Sequence, residues 1–321
     1  MKAAVNYKYG PPEVVSIQTI NIPVPKNNEV LVEIHASSVN RTDCGFRSAE
    51  YFVSRLFSGL IKPKNHVLGC EFAGIIKEIG KDVTSFKVGD AVFGYNDLRF
   101  GTHAEFMVIE EAACIAMKPE NLNFSEAAAV CEAAHYALVD IRAAKVQKGQ
   151  KVLVNGATGG IGSSAVQLLK YFGAEVVAVC DTKNMDLVKS LGANEVIDYT
   201  KTDFTLIKNQ QFDFIFDAVG KSSFSKCKKL LKKKGIYIST ELGKYGANVY
   251  LALLTPYFSS KKVLFPIPSM NQEDVLFFKS IIEEGHFKPV IDRSYSLDDI
   301  VEAYRFVETG MKTGNVIIKI K

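Results

Sequence analysis

From Lys151 to Leu169 the chain reads KVLVNGATGGIGSSAVQLL, a β-branched run that breaks at Gly156, Gly159, Gly160 and Gly162 and resumes as a helical pattern. Glycine at such a junction lets the turn be tight, lets backbone N–H groups come close to a pyrophosphate, and lets the helix settle against the strand. The N-terminus of the following helix offers its partial positive charge to the same phosphates. The spacing, G-x-x-G-x-x-G, is wider than the common G-x-G-x-x-G. Its meaning therefore comes from the strand before it, the helix after it and the second strand EVVAVC. No G-K-[ST] follows, which excludes a Walker loop.

The alternation continues beyond the loop. Strand EVVAVC, helix NMDLVKSLG, strand EVIDY, strand FDFIFDAVG, helix SFSKCKKLLKKK and strand GIYIST follow one another. Short Val, Ile and Phe runs alternating with helices predict βαβ units and a parallel sheet covered on both faces. Before about Asn121 the character differs. EVLVEIHASSVN, FAGIIKEIG, DAVFGY and AEFMVIE are β-branched runs separated by Gly, Pro and Asn, which predicts a mostly antiparallel region. The change comes at Ser125, where SEAAAVCEAAHYALVDIRAAKV reads as an Ala-rich helix with Ser125 as N-cap. The tail SLDDIVEAYRFVETGMKTGNVIIKI adds one more helix and a final strand.

With 321 residues, 47% of them hydrophobic, the chain is long enough for two domains with separate cores. A balance of 39 basic against 35 acidic residues is too even for a nucleic-acid surface. Its one dense basic cluster, KCKKLLKKKG from Lys226 to Gly235, reads as the solvated face of a helix. MKAAVNY at the start reads as a strand rather than a leader, and no apolar run is long enough to cross a bilayer. A cytoplasmic location is the expectation. The six cysteines stand singly, without a C-x-x-C pair, and are read as reduced thiols.

Several stretches together carry a family resemblance: VNGATGGIGSSAVQLLKYFGAEVVAVCDTKN with SLGANEVIDY, KAAV and YGPPEVV near the start, SSVNRTD, LGCEFAG, FKVGDAVFG, AEF, and the closing GNVIIKI. Distributed over the whole chain, they resemble the medium-chain dehydrogenase/reductase superfamily and, within it, the zinc-independent quinone oxidoreductase branch. The resemblance implies an α/β chain of two domains. Residues 1–122, completed by 288–321, would form a GroES-like β-rich catalytic domain, and 123–287 a Rossmann domain with a doubly wound parallel sheet.

Zinc alcohol dehydrogenases of that superfamily hold a catalytic zinc through a Cys after the second strand, a His in G-H-E and a further Cys or Asp. The matching positions here are Asn40, Cys70, and either Val130 or Cys131; the region from Tyr95 to Cys114 offers one thiol in place of a four-Cys lobe. A catalytic zinc needs three protein ligands and an open position. The resemblance thus implies no metal, with an unorthodox site of Cys70, Cys131 and His66 as the alternative. Without a Lewis acid nothing stabilises the alkoxide of an alcohol. A quinone or enone instead delocalises the incoming charge itself, while the cofactor carries the hard step. By resemblance, Asn40 and Asp43 lie near the nicotinamide, with Asn40 donating to the acceptor carbonyl. Asp43 reads equally as a local cap. Tyr51 would orient substrate or deliver a proton, or simply pack in its apolar loop. His103 reads as part of the β-domain core, and His135 carries no assignment.

For the cofactor, the resemblance implies that Gly156, Ala157, Thr158, Gly159, Gly160 and Ile161 hold the pyrophosphate and that Val219 and Leu242 line the remainder. The choice between NADPH and NADH falls on VVAVCDTKN. A binder of bare ribose ends its second strand on a carboxylate, but that position is Cys180, and Asp181, one residue later, points to the other face. Related reductases have Ser or Gly in place of Asp181, then Thr and a base, which this chain keeps as Thr182 and Lys183; Tyr199 matches a further position that reaches the 2′-phosphate. NADPH is the expected cofactor, NADH the less favoured, provided Asp181 turns away or pairs with Lys183.

The expected function is NADPH-dependent reduction of quinones or α,β-unsaturated carbonyls by direct hydride transfer. Alternatives are a zinc alcohol dehydrogenase, an enoyl thioester reductase, or a protein that binds NADPH without turnover. A small-molecule substrate and a homodimer complete the expectation. In the family the strand within YLALLTPYFSSKKVLFPIP pairs with its twin, and the residues before it cover the substrate.

Overall fold

The early β-branched runs fold as β1 (Lys2–Val5), β2 (Ser16–Thr19), β3 (Glu29–Val39), β4 (Glu71–Ile79), β5 (Ala91–Tyr95), β6 (Phe106–Glu110) and β7 (Ile115–Met117). Helices α1 (Arg41–Ser48), α2 (Ser54–Ser58), α3 (Phe124–Ala127) and α4 (Cys131–Ala144) are set among and after them. In the middle of the chain, strands β8 (Lys151–Asn155), β9 (Glu175–Cys180), β10 (Glu195–Asp198), β11 (Phe212–Asp217), β12 (Leu231–Ser239) and β13 (Lys262–Leu264) alternate with α5 (Gly160–Tyr171), α6 (Met185–Ser190), α7 (Phe224–Cys227) and α8 (Ala247–Phe258). The chain closes with α9 (Gln272–Glu283), β14 (Ile291–Ser296), α10 (Ile300–Glu308) and β15 (Asn315–Lys319). This computed structural model describes residues 1–50, 54–97 and 99–321, so Tyr51 lies outside the described residues.

Residues 1–132 with 270–321 form one unit, and residues 133–269 a second. The sheet of the first runs β14-β15-β3-β4-β5-β7, with β6 also paired to β3. Every pairing in it is antiparallel except β14 with β15. β3 is its axis, with neighbours on both sides and nearly every residue buried. Val30, Val32, Ile34, Phe72, Ile76, Val92 and Ile115 form the core that it organises.

The second unit holds a six-stranded, fully parallel sheet in the order β10-β9-β8-β11-β12-β13. The order reverses between β8 and β11, the switch point at which doubly wound sheets bind nucleotides. Strand residues such as Leu153, Val177, Val179, Ile215 and Tyr237 are fully buried, as both-face coverage demands.

Two local expectations are corrected. The Ala-rich stretch is two helices, and its cap is Asn123: Asn123 Oδ1 accepts from Glu126 N at 2.9 Å and Glu126 Oε2 accepts from Asn123 N at 3.0 Å. Residues 128–130 leave the helical ladder, and Ala129 O accepts from Asn315 Nδ2 at 3.1 Å instead. The lysine cluster is not a helix face either. α7 ends at Cys227, and Leu231–Lys234 already belong to β12, where Leu231 pairs with Phe212 and Lys234, at φ 67°, donates to Ser260 O. Burying Leu230 and Leu231 in the core sets this path. Helix α9 groups with the first unit, because Gln272 Nε2 donates to Glu111 O and Ile115 O and Asn121 Nδ2 donates to Ile282 O.

Candidate active site

Asn40 stands where β3 gives way to α1, and it closes a capping box. Its Oδ1 accepts from Asp43 N at 2.9 Å, and Asp43 Oδ2 accepts from Asn40 N at 3.1 Å. The other carboxylate oxygen of Asp43 accepts from Gly69 N at 3.0 Å, which fixes the residue before Cys70. Asn40 Nδ2 in turn donates to Cys70 Sγ at 3.1 Å. Burial pushes the Asp43 carboxyl up to about 8, against the pull of the two N–H donors, and raises the Cys70 thiol well above its ordinary value.

Around this pair lies a set of groups that sequence reading missed. Glu71 accepts from Ser38 Oγ at 2.5 Å and from Glu132 N at 2.8 Å, and Thr42 Oγ1 donates to Glu132 Oε1 at 2.9 Å. Burial, reinforced by the neighbouring Glu132, pushes Glu71 up to about 8; burial also raises Glu132. Burial lowers Lys312, against the opposing pull of Glu132, and its ammonium donates to Gly314 O. His103 Nε2 donates to Ser38 O at 2.7 Å, which leaves Nδ1 to accept from Tyr304 Oη at 3.4 Å. Burial holds that ring down to about 4, so it is neutral and part of the core, as its sequence context suggested.

The residues at the zinc positions do not fit a metal. Asn40 presents an amide N–H toward Cys70 and its Oδ1 is taken by Asp43 N, where a catalytic zinc calls for a thiolate, imidazole or carboxylate. Among the described residues, no three His, Cys, Asp or Glu side chains are arranged to hold a metal ion.

In the second unit the cofactor candidates gather at one sheet edge. Gly156 follows β8, Cys180 ends β9, Tyr199 follows β10, Val219 follows β11 and Leu242 follows β12, all at the carboxyl ends of parallel strands. Asn155 Nδ2 donates to Asp217 Oδ1 at 2.9 Å and locks β8 to β11 across the switch point. Gly156 sits at φ 79°, where a Cβ would come within 2.3 Å of Val219; a Cβ on Gly162 would lie 2.0 Å from Gly156 O. Those two glycines serve the fold itself. Gly159, the N-cap of α5, has room for a Cβ with its nearest neighbour 3.7 Å away, which leaves a cradle open at the helix N-terminus. Ala157 is buried and bonded to Val179 O, Thr158 and Ile161 are half-buried, and Gly160 opens α5. The loop therefore fits a dinucleotide pyrophosphate.

After β9, Asp181 is not free. Asn184 Nδ2 donates to its Oδ1 at 2.6 Å, and Lys183 Nζ stands 3.7 Å from its Oδ2. Lys183 and Tyr199 are exposed, and Cys180 is buried. Asp198, not singled out from sequence, accepts from the hydroxyls of Thr182 and Thr200 and from Thr200 N, and these bonds pull its carboxyl down to about 2. Thr182 thus gives its hydroxyl proton to Asp198.

Comparison with known proteins agrees with this architecture. Residues 26–119 match the alcohol dehydrogenase GroES-like domain family, and residues 191–318 the family described as zinc-binding dehydrogenase. The chain is 34% identical to 2-methylene-furan-3-one reductase of Solanum lycopersicum over 331 residues, covering 99% of this chain and 79% of that one. It is 29% identical to the chloroplastic NADPH-dependent alkenal/one oxidoreductase of Arabidopsis thaliana, with 99% and 79% covered. The solved quinone oxidoreductase from Coxiella burnetii superposes with a TM-score of 0.89 at 28% identity, covering 100% of this chain and 99% of that one. With its GroES-like unit, its doubly wound sheet and these relatives, the chain belongs to the quinone oxidoreductase branch of the medium-chain dehydrogenase/reductase superfamily, oxidoreductases that use nicotinamide dinucleotides.

Proposed function

We propose that the protein reduces quinones or α,β-unsaturated carbonyls with NADPH and without a metal. The observation that carries this reading is the Asn40–Cys70 pair: a neutral amide donor bonded to a buried thiol stands where a zinc enzyme would present two ligands. When bound, the reduced nicotinamide supplies a hydride, and a conjugated acceptor delocalises the charge that comes with it. An Asn side chain has two N–H donors. One is spent on Cys70, and the second serves the acceptor carbonyl, where it favours the developing oxyanion. The capping box holds Asn40 in that orientation through Asp43, whose part is positioning.

NADPH is favoured over NADH because β9 ends on Cys180 instead of a carboxylate, Asp181 is occupied by Lys183 and Asn184, and Lys183 and Tyr199 remain exposed for a 2′-phosphate. The Arabidopsis thaliana relative named for NADPH supports the same choice, and the relatives named for furanone and quinone reduction support the substrate class. We also propose a homodimer joined through β13, the edge strand of the parallel sheet.

Steady-state NADPH and NADH oxidation with an ortho-quinone, a para-quinone, an enone and an enoyl thioester tests the reading. Turnover is expected with the quinones or the enone, at a higher kcat/KM with NADPH and with no stoichiometric zinc in protein purified without added metal. Asn40→Ser isolates the amide, since serine still caps the helix. It should lower kcat by about tenfold or more with an unchanged melting midpoint. An unaffected kcat would remove Asn40 from the chemistry.

A further inference from the structure

Helix α8 is anchored on one side and apolar on the other. Asn248 Nδ2 donates to Glu241 O, Val263 N donates to Thr255 Oγ1, and Leu251 and Ala252 pack against the core of the parallel sheet. The opposite side carries Tyr250, Leu253, Leu254, Tyr257 and Phe258, spaced as one helical stripe. Their exposures run from 52% at Leu254 to 84% at Phe258. A helix packed on a sheet in water has the reverse polarity.

The charge around this stripe is as unusual as its polarity. Residues 218–272 contain ten lysines and a single acid, Glu241, in a chain whose formal charge is only +4, so the remainder is net acidic. The lysines frame α8. Lys244 precedes it, its Nζ 5.2 Å from the Tyr245 ring, and Lys261 and Lys262 follow it. Lys261 Nζ donates to Lys228 O and Lys234 N to Ser260 O, which joins the Lys228–Lys234 run to the end of the helix bearing Tyr257 and Phe258.

We propose that this face docks on the surface of an anionic phospholipid bilayer. An apolar stripe with aromatic residues, framed by lysines, is the pattern of a helix lying in the interfacial plane. The lysine stems extend along apolar surface while their ammonium groups meet lipid phosphates and carboxylates. α8 lies on the bilayer and does not cross it: its 12 residues span about 18 Å, against about 30 Å of hydrocarbon. An acidic protein or a nucleic acid would match the charge but leave Leu253, Leu254 and Phe258 without apolar partners.

The test is co-sedimentation of the full-length protein with phosphatidylcholine vesicles, with and without phosphatidylserine. Phosphatidylserine should raise the partition coefficient by about tenfold or more, and high salt should reverse the gain. Tyr257→Ser/Phe258→Ser should lower partition by at least about tenfold, as should Lys233→Glu/Lys244→Glu, with melting midpoints unchanged because these side chains lie at the surface. If the aromatic variant fails to fold, the lysine variant decides alone. Wild-type protein that ignores phosphatidylserine overturns the proposal, as do two folded variants that partition like wild type. A light-scattering mass halved by the aromatic variant, with no vesicle binding by wild type, assigns the stripe to a second copy and also overturns it.

Discussion

Glu71 is held between a hydroxyl and a backbone N–H, and a glutamine could serve both: its oxygen accepts from Glu132 N and its amide donates to Ser38 Oγ. The carboxyl, at about 8 in the fold against an ordinary 4.5, keeps a proton that the unfolded chain releases. Its contribution to stability is therefore complete below about 4.5 and is lost as pH rises toward 8. Glu71→Gln should lessen the fall in unfolding free energy across that window, which Asp43 shares, and leave the variant more stable than wild type above it by roughly a few kcal/mol; parallel pH curves for the two proteins would remove Glu71 as a cause. At the cofactor end, Asp181→Ser frees Lys183 and removes a negative charge. The NADPH to NADH ratio of kcat/KM should rise roughly fivefold, since one exposed charge is worth about 1 kcal/mol. A ratio that does not move would make the carboxylate irrelevant to cofactor choice. Asn40, Asp43 and Lys183 could be picked out because each lies in a short local motif. Glu71, Glu132 and Asp198 could not, because partners such as Glu132 for Glu71 or Thr182 for Asp198 come from distant sequence, and the one local partner, Thr200 beside Asp198, reads as an ordinary turn.

At the scale of elements, strands were easier to read than helix ends. β8 and β9 are fully apolar because both faces of a parallel sheet are covered, and that run survives in the sequence as KVLVN and EVVAVC. The lysine cluster misled for the opposite reason. Lys226–Gly235 has helical composition, but two adjacent buried leucines and a left-handed Lys234 turn it into strand, a tertiary override of local preference. The start of the Ala-rich stretch was misplaced by two residues because Ser125 and Asn123 are both good caps and only the bond to Glu126 N separates them. Asn123→Ala should cost about 1 kcal/mol in denaturant unfolding, and Ser125→Ala much less. Equal losses would refute the assigned cap.

For the whole molecule, the glycine loop and the strand alternation made the parallel unit legible, whereas the extent of the first unit depended on contacts no periodicity encodes. Helix α9 joins that unit through side-chain bonds to Glu111 and Ile115 carbonyls, and β15 joins it by pairing Val316 with Val39 and Ile317 with Ser38. That last pairing has a consequence for biosynthesis. Domains tend to fold in the order in which they leave the ribosome, but here the first unit needs its final strand to pair with β3 at Ala36–Val39, beyond the stretch that β6 covers. The contiguous stretch 133–269 can close while 1–132 still waits for β15. Nascent chains arrested well beyond residue 269 but before β15 emerges should therefore resist protease over the nucleotide-binding unit and be cut within residues 1–132. Release of the full chain should protect both.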